Sequence, residues 1–369
     1  MPCFRTPVHD KYFPRNGARC LLGTTKSLKV LIVKLSAFGD IIHALPALDD
    51  LLKRPEISEV HWLVDQRFAF VTDIFPPQVK VHKVALKGDS RIRHAWQMIQ
   101  TLRNEYFDII FDLQGLIKSG IMAWASAKSG CKIFGFDREQ SPEWPNRWFV
   151  SPVTFHANEK HVVPLYRHII AAAFASQNKT DDKEQTYIAP HIQITLAMQK
   201  QGQQALDDMG IQAPFSILHV GGSYITKRLP DAQWQQLAQI MQKQQTLIVL
   251  WGNAEEKQRA ENISKQSEHI IVAPRCFSLA TLAGMLQQAS AYLGQDTGVT
   301  HLAAACDCPT ITLWGATAPW RMGALGALHR HITPQSDCSP CFSRQCDNFI
   351  CMPSLNIEHI YHAWQEARR

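Results

Sequence analysis

The chain contains no run of about 18 consecutive apolar residues, so no segment reads as a transmembrane helix. Its first 27 residues include Pro2, Arg5, Pro7, His9, Asp10, Lys11 and Pro14 and no apolar core, which excludes a secretory signal. That stretch is expected to be a disordered extension, or the product of a start codon placed too early. A cytoplasmic protein is expected. No G-x-x-x-x-G-K-[ST] sequence is present, so the chain is not a P-loop nucleotidase. No G-x-G-x-x-G opens a helix, which disfavours a nicotinamide dehydrogenase. A long basic stripe is also missing. With 38 Lys and Arg against 32 Asp and Glu, the formal charge is +6. That mild excess suits an anionic small molecule or an anionic membrane surface better than a nucleic acid.

What is present is an ordinary globular composition, 46% hydrophobic and 19% charged, over 369 residues. At roughly 150 residues per domain this length allows two domains, each able to bury a core. Apolar runs alternate with helical text. Val30–Val33, Val60–Val64, Val79–Leu86, Asp108–Leu113 and Cys131–Phe136 read as strands. Helical text covers Ile121–Ala127 and His161 to about Ala175. Ser176–Glu184 is polar and is the best linker candidate. A second alternation follows, with strands at Phe215–Val220, Thr246–Trp251, Ala291–Gly294 and Thr310–Trp314 and a helix at Ala232–Gln242. Strands alternating with helices imply parallel sheets in both halves, with a cleft between them.

The loops after the strands carry the chemistry. Ser36-Ala37-Phe38-Gly39 forces a turn after the first strand and leaves Asp40 at the mouth of a helix. In an open α/β sheet that position borders the ligand crevice, where a lone carboxylate can act as a general base. Asp40 can equally cap its helix. Gly221-Gly222-Ser223 before Lys227 offers backbone N–H groups and a cation to a phosphate, or is a glycine turn beside a solvated lysine. Glu255-Glu256 can receive ribose hydroxyls or merely favour a helix N-terminus. Asp296-Thr297-Gly298 with His301 one turn later can hold a diphosphate, or be an N-cap with a core histidine.

Taken together these segments resemble the lipopolysaccharide heptosyltransferases, family 9 of the glycosyltransferases. The resemblance rests on Val33–Leu48, Asp112–Ser119, Lys227-Arg-Leu-Pro230, Trp251-Gly252 with Glu256, and Asp296–His301, in order and spacing over about residues 28–352. It is nearest to heptosyltransferase I. It implies the GT-B architecture: two Rossmann-like, doubly wound α/β domains facing a central cleft. The acceptor domain would be 28–180 and the nucleotide-sugar domain 185–352, with a C-terminal helix in 353–369 packing back on the first domain. The implied reaction is inverting transfer of L-glycero-D-manno-heptose from ADP-heptose to Kdo of Kdo2-lipid A, by an enzyme peripheral to the cytoplasmic face of the inner membrane. Heptosyltransferase II, another family 9 enzyme with a different acceptor, and a non-catalytic nucleotide-sugar binder are the alternatives. Retention of both Asp40 and Lys227 argues against the last.

The resemblance assigns roles by position. Asp40 matches the base and Lys227 the lysine on the donor phosphates. Gly222, Ser223, Asp296, Thr297, Gly298 and His301 fall around the sugar and diphosphate. Glu256 matches the acid on the ribose, and Phe277 falls near the adenine. Lys87, Arg91, Arg93 and His94 resemble a basic acceptor-binding loop, and Gln114 and Lys118 lie in a second acceptor motif. Three departures stand out: no paired threonines in the 221–226 loop, Leu229 where tryptophan is usual, and Thr300 where serine is common. No catalytic metal is implied, and no Asp-x-Asp motif appears. Cys338, Cys341, Cys346 and Cys351 lie within 14 residues and could surround a structural zinc or iron, remain free thiols, or form a disulfide. This cluster is expected to lie outside the chemistry.

Overall fold

The computed structural model describes residues 27–175, 186–212, 214–265 and 267–368. The expected extension and the linker at Ser176–Glu184 lie outside the described residues, apart from the last residue or so of the extension. Two six-stranded sheets, parallel throughout, form the frame. The first contains β1 (Leu28–Val33), β2 (Ile57–Asp65), β3 (Val79–Val84), β4 (Ile109–Asp112), β5 (Lys132–Phe136) and β6 (Ser151–Val153), in the order β3-β2-β1-β4-β5-β6. The second contains β7 (Phe215–His219), β8 (Thr246–Leu250), β9 (Ile270–Val272), β10 (Ala291–Gln295), β11 (Thr310–Leu313) and β12 (His329–Ile332). Its order, β12-β11-β10-β7-β8-β9, is the same winding repeated. Each sheet reverses direction between its first and fourth strands. Ligands bind at the carboxyl ends of the strands at such reversal points.

The strands are near-continuous apolar runs because helices cover both faces. Val30 and Ile32 of β1 point into one core, and Leu31 and Val33 into the core on the opposite face. The helices of the first half are α1 (Phe38–His43), α2 (Leu45–Leu52), α3 (Arg91–Arg103), α4 (Ile117–Ser126) and α5 (Val162–Ala172). Those of the second are α6 (Leu196–Asp208), α7 (Asp231–Met241), α8 (Ala254–Ser264), α9 (Leu279–Gln288), α10 (Gly298–Ala305), the short α11 (Pro319–Met322) and α12 (Ile357–Ala367). The core beneath α1, α2 and α5 continues without a break into that beneath α6, α9 and α10.

Two expectations need correction. The C-terminal helix does not return to the first domain. Its Ile360, Ala363 and Trp364 complete the core between α7 and the second sheet, and the Trp364 indole N–H donates to Ser216 Oγ at 2.9 Å. The basic tract is also not all loop, because Arg91, Arg93 and His94 form the first turns of α3. Only Lys87 precedes the helix.

The domains meet where α1 lies against α10. A Cβ on Gly298 would fall 2.2 Å from Phe38 Cδ1, and one on Gly39 would fall 2.5 Å from His301 Cδ2. Glycine at both positions lets the two backbones come this close. Gly298→Ala is therefore expected to separate α1 from α10 and to cost about 1–3 kcal/mol. The check is chemical denaturation, where a midpoint equal to wild type would show that the interface yields freely.

Candidate active site

Between the two reversal points lies a cavity of about 610 Å³. From the first domain it is lined by the α1 loop, with Ala37, Phe38, Gly39, Asp40 and His43. That loop is held from below. Gln114, just past β4, accepts the N–H groups of Leu35 and Ser36 on one side-chain oxygen at 3.0 and 2.9 Å. Gln114 is thus buried beneath the loop rather than in the cavity wall. Asp40 is half-buried and one of its oxygens accepts the Ala37 N–H at 3.0 Å. It caps its helix and lines the cavity at once, so the two sequence readings are compatible.

Behind it sits Lys34, a buried cation that the sequence reading passed over. Its Nζ donates to the Leu113 carbonyl at 3.0 Å and to the Tyr166 hydroxyl at 2.7 Å. Burial opposes the charge, but Tyr166, Asp40 and Asp112 outweigh it and raise the lysine's pKa. The cation therefore persists under the α1 loop.

The second domain supplies the opposite wall. Gly222 and Ser223 follow β7, and a single 3-10 turn, Ile225–Lys227, carries Lys227 into the cavity. Lys227 Nζ donates to Asp296 Oδ2 at 2.6 Å and to the Asp296 carbonyl at 3.2 Å. The other carboxylate oxygen meets His301 Nε2 at 3.1 Å. Burial would raise the pKa of Asp296, but the His301 hydrogen bond and the Lys227 charge outweigh it and hold the group well below the usual carboxylate range. Thr297 and Gly298 open α10 at the cavity, where the helix N-terminus presents free N–H groups.

Glu256 is buried one turn into α8. Its Oε2 accepts the Gly252 N–H at 2.7 Å, and Asn253 caps the helix through its own oxygen. Beside it, burial lowers the pKa of His219 to about 4, against the pull of Glu256. His219 is therefore a neutral imidazole, with Nδ1 3.2 Å from Thr297 Oγ1.

Asp40, Gly222, Ser223, Lys227, Glu256, Asp296, Thr297, Gly298 and His301 are thus brought to one cavity. Phe277 is not in its wall. It packs on the core from the loop before α9, under the Arg275 guanidinium. Lys87, Arg91, Arg93 and Lys118 are exposed, at or near the first turns of α3 and α4, and do not line the cavity either; His94 is half-buried there. Because β3 and β4 run parallel to β1, those turns lie at the same edge of the sheet as Asp40.

Sequence reasoning missed His43, Tyr224, Phe342 and Arg344 in the lining. His43 stands one turn beyond Asp40, its ring 4.3 Å from that of His301, and burial foremost keeps it neutral. That i, i+3 spacing was a usable signal. Arg344 had none, because the cysteine segment was expected outside the chemistry. The Phe342 N–H donates to Ala316 O, and Thr226 Oγ1 donates to Ser343 O, both at 2.7 Å. These bonds lay the segment across the cavity, with Arg344 over the Tyr224 ring.

The cysteines in that segment are not gathered into a closed metal-sized cluster. Tetrahedral zinc with Zn–S of about 2.3 Å needs sulfurs about 3.8 Å apart. Among the described residues, no three of these thiols come within 4.8 Å of one another. Cys338, Cys341 and Cys346 are exposed and Cys351 is buried, all as free thiols. The group that does converge is Glu59, His61 and Glu105, remote from the cleft. Lys29 and Lys80 already pair with its carboxylates, Lys29 with both at 3.0 and 3.5 Å and Lys80 with Glu59 at 2.5 Å.

Two doubly wound domains facing such a cavity make up a GT-B architecture. Residues 95–350 match the model of glycosyltransferase family 9 (heptosyltransferase), and the chain belongs to that family. It is 32% identical over 330 residues to lipopolysaccharide heptosyltransferase 1 of Pseudomonas aeruginosa, covering 86% of this chain and 87% of that protein. Among solved structures it resembles E. coli heptosyltransferase WaaC with ADP, at a TM-score of 0.71 and 24% identity, covering 92% of this chain and all of that one. E. coli ADP-heptose lps heptosyltransferase II gives the same TM-score at 15% identity, over 92% and 98% of the chains. The two solved structures share the fold.

The Lys227–Asp296–His301 chain is expected to stabilise the ligand-free protein. Asp296→Ala leaves the partly buried Lys227 ammonium at the cavity wall without its carboxylate and should cost about 1–3 kcal/mol. Since the carboxyl pKa is depressed in the folded state, this stabilisation is present above the unfolded value near 3.8 and is lost as pH falls. Urea midpoints of the two proteins should therefore differ at neutral pH and converge in acid. Equal midpoints at pH 7 would show that the pair contributes nothing net.

Proposed function

We propose that this enzyme transfers L-glycero-D-manno-heptose from ADP-heptose to the Kdo of Kdo2-lipid A, with inversion at the anomeric carbon. The observation that carries the reading is the position of Asp40 on one domain facing the Lys227–Asp296 pair and the α10 N-terminus on the other, across one cavity. The second domain, 185–352, takes the donor, and the first, 28–180, takes the acceptor.

Asp40 accepts the proton of the acceptor hydroxyl as that oxygen attacks the anomeric carbon. The bond to the ADP oxygen breaks on the far side, and the negative charge that develops there is met by preorganised donors. Lys227, the N–H groups at Thr297 and Gly298, Gly222 and Ser223 supply them. Glu256, with one oxygen already tied to Gly252, receives the ribose. His301 and Asp296 orient the sugar end. Lys87, Arg91, Arg93, His94 and Lys118 receive the acceptor carboxylates and phosphates, and Gln114 acts through the Asp40 loop.

Arg344 joins the donor site on electrostatic grounds. Asp40, Glu256 and Asp296 line the cavity against only Lys227 and Arg344 among its described Lys and Arg residues, and Lys227 is already paired. A diphosphate entering there needs a second cation. Arg344 is expected to provide it as a charge-assisted contact.

The direct test incubates the protein with ADP-heptose and Kdo2-lipid A and weighs the product. Activity only on an acceptor already carrying heptose would favour the heptosyltransferase II reading instead. Asp40→Asn keeps an oxygen for the Ala37 N–H but removes the base. It should lower turnover about 10²–10⁴-fold while leaving ADP affinity unchanged by calorimetry. Wild-type turnover in this variant would place the base elsewhere. Arg344→Ala should weaken ADP binding about tenfold, or about 1.4 kcal/mol. An unchanged Kd would remove Arg344 from the donor site.

A further inference from the structure

The outward faces of α3 and α4 carry the wrong residues for water. A helix on a globular surface ordinarily turns its polar stripe outward. Along α3, Ile92 and Trp96 are four residues apart and 75% and 62% exposed. Along α4, Ile117, Ile121 and Trp124 share one stripe, and Trp124 is 60% exposed. Trp148, in the 3-10 turn packed on α4, is 67% exposed. Of the thirteen residues of α3 only Leu102 is fully buried. Between the two helices runs an open groove of about 570 Å³, with Trp96 and Trp124 in its wall. Contiguous apolar surface on this scale marks an interaction site.

Charge narrows the choice of partner. Residues 90–104 and 113–136 contain no Asp or Glu, whereas Arg91, Arg93, Lys118 and Lys128 lie among the aromatics. A second copy of the chain is disfavoured, since a two-fold contact would press one basic face against another. Tryptophan with arginine and lysine is the composition that seats at the headgroup level of a bilayer, with the cations on anionic lipid.

We infer that the α3–α4 face is a docking surface for an anionic bilayer. Both helices begin at the carboxyl edge of the first sheet, next to the Asp40 loop, so docking by this face holds the mouth of the cleft at headgroup level. The inference rests on the proposed lipid-borne acceptor for its purpose, though not for its chemistry.

The test uses the full chain and vesicles of phosphatidylglycerol with phosphatidylethanolamine, against vesicles of phosphatidylcholine. Wild type should sediment with the anionic vesicles, weakly with the neutral ones, and less as salt rises. Ile121→Ser with Trp124→Ser alters two exposed positions outside the cavity. It should weaken partition at least about tenfold. It should leave transfer to a deacylated, water-soluble acceptor unchanged while slowing transfer to vesicle-embedded Kdo2-lipid A. Failure of wild type to bind anionic vesicles, or unchanged binding by the variant, would overturn the inference. So would a concentration-dependent dimer that the variant abolishes in the absence of vesicle binding. Vesicle binding that depends on these residues, with no acceptor turned over, would instead remove the proposed reaction and leave the surface standing.

Discussion

The contact between α1 and α10 is the constraint on which the site depends. Asp40 lies on one of these helices, and Asp296 and His301 sit at the start of and within the other. Neither domain alone lines both walls of the cavity. Gly39 against His301 and Gly298 against Phe38 set how closely the two approach. A single core running beneath both helices makes that approach part of the packing rather than an accident of a flexible linker. Because packed interiors yield little to added volume, a methyl group at either glycine would move reacting groups as well as the backbone.

Electrostatics divides the labour between the walls. On the first domain, buried Lys34 lies under the loop that presents Asp40, held as a cation by Tyr166, Asp40 and Asp112. On the second, Asp296 holds both Lys227 and His301. In the proposed reaction a diphosphate would compete with Asp296 for that lysine, which is why Arg344 is enlisted. The Arg344 segment is tied down through its own backbone to the Ala316 carbonyl and the Thr226 hydroxyl, and it brings Arg344 into the cavity lining. The backbone between its thiols is what reaches the cavity.

The same division appears on the outside of the molecule. The helices of the second domain are laced with acids and amides, as in the Glu255–Glu261 stretch of α8. Helices α3 and α4 of the first domain carry aromatics and cations without acids. That asymmetry fits the proposed water-borne donor and lipid-borne acceptor.

Much of this architecture was legible in the residues alone. The apolar runs that became β1, β4, β7, β8, β10 and β11 could be read because strands covered on both faces are continuously hydrophobic. The loops after β1, β7, β8 and β10 could be read as site loops because a parallel sheet puts its crevice at those ends. That reasoning located Asp40, Lys227, Glu256 and Asp296. It could not tell whether Asp40 caps or lines the cavity, since a side chain three residues into a helix can do both. Tertiary structure alone decided the rest. Gln114 went under the loop instead of into the wall, because its amide oxygen was needed by two backbone N–H groups. The last helix went to the second sheet, because Trp364 found a buried partner in Ser216. Arg344 entered the cavity through bonds that its neighbours Phe342 and Ser343 make to residues 26 and 117 positions away. Local pattern determines which segments are strands, helices and turns; which distant segments share a wall depends on long-range packing and hydrogen bonding that no local pattern encodes.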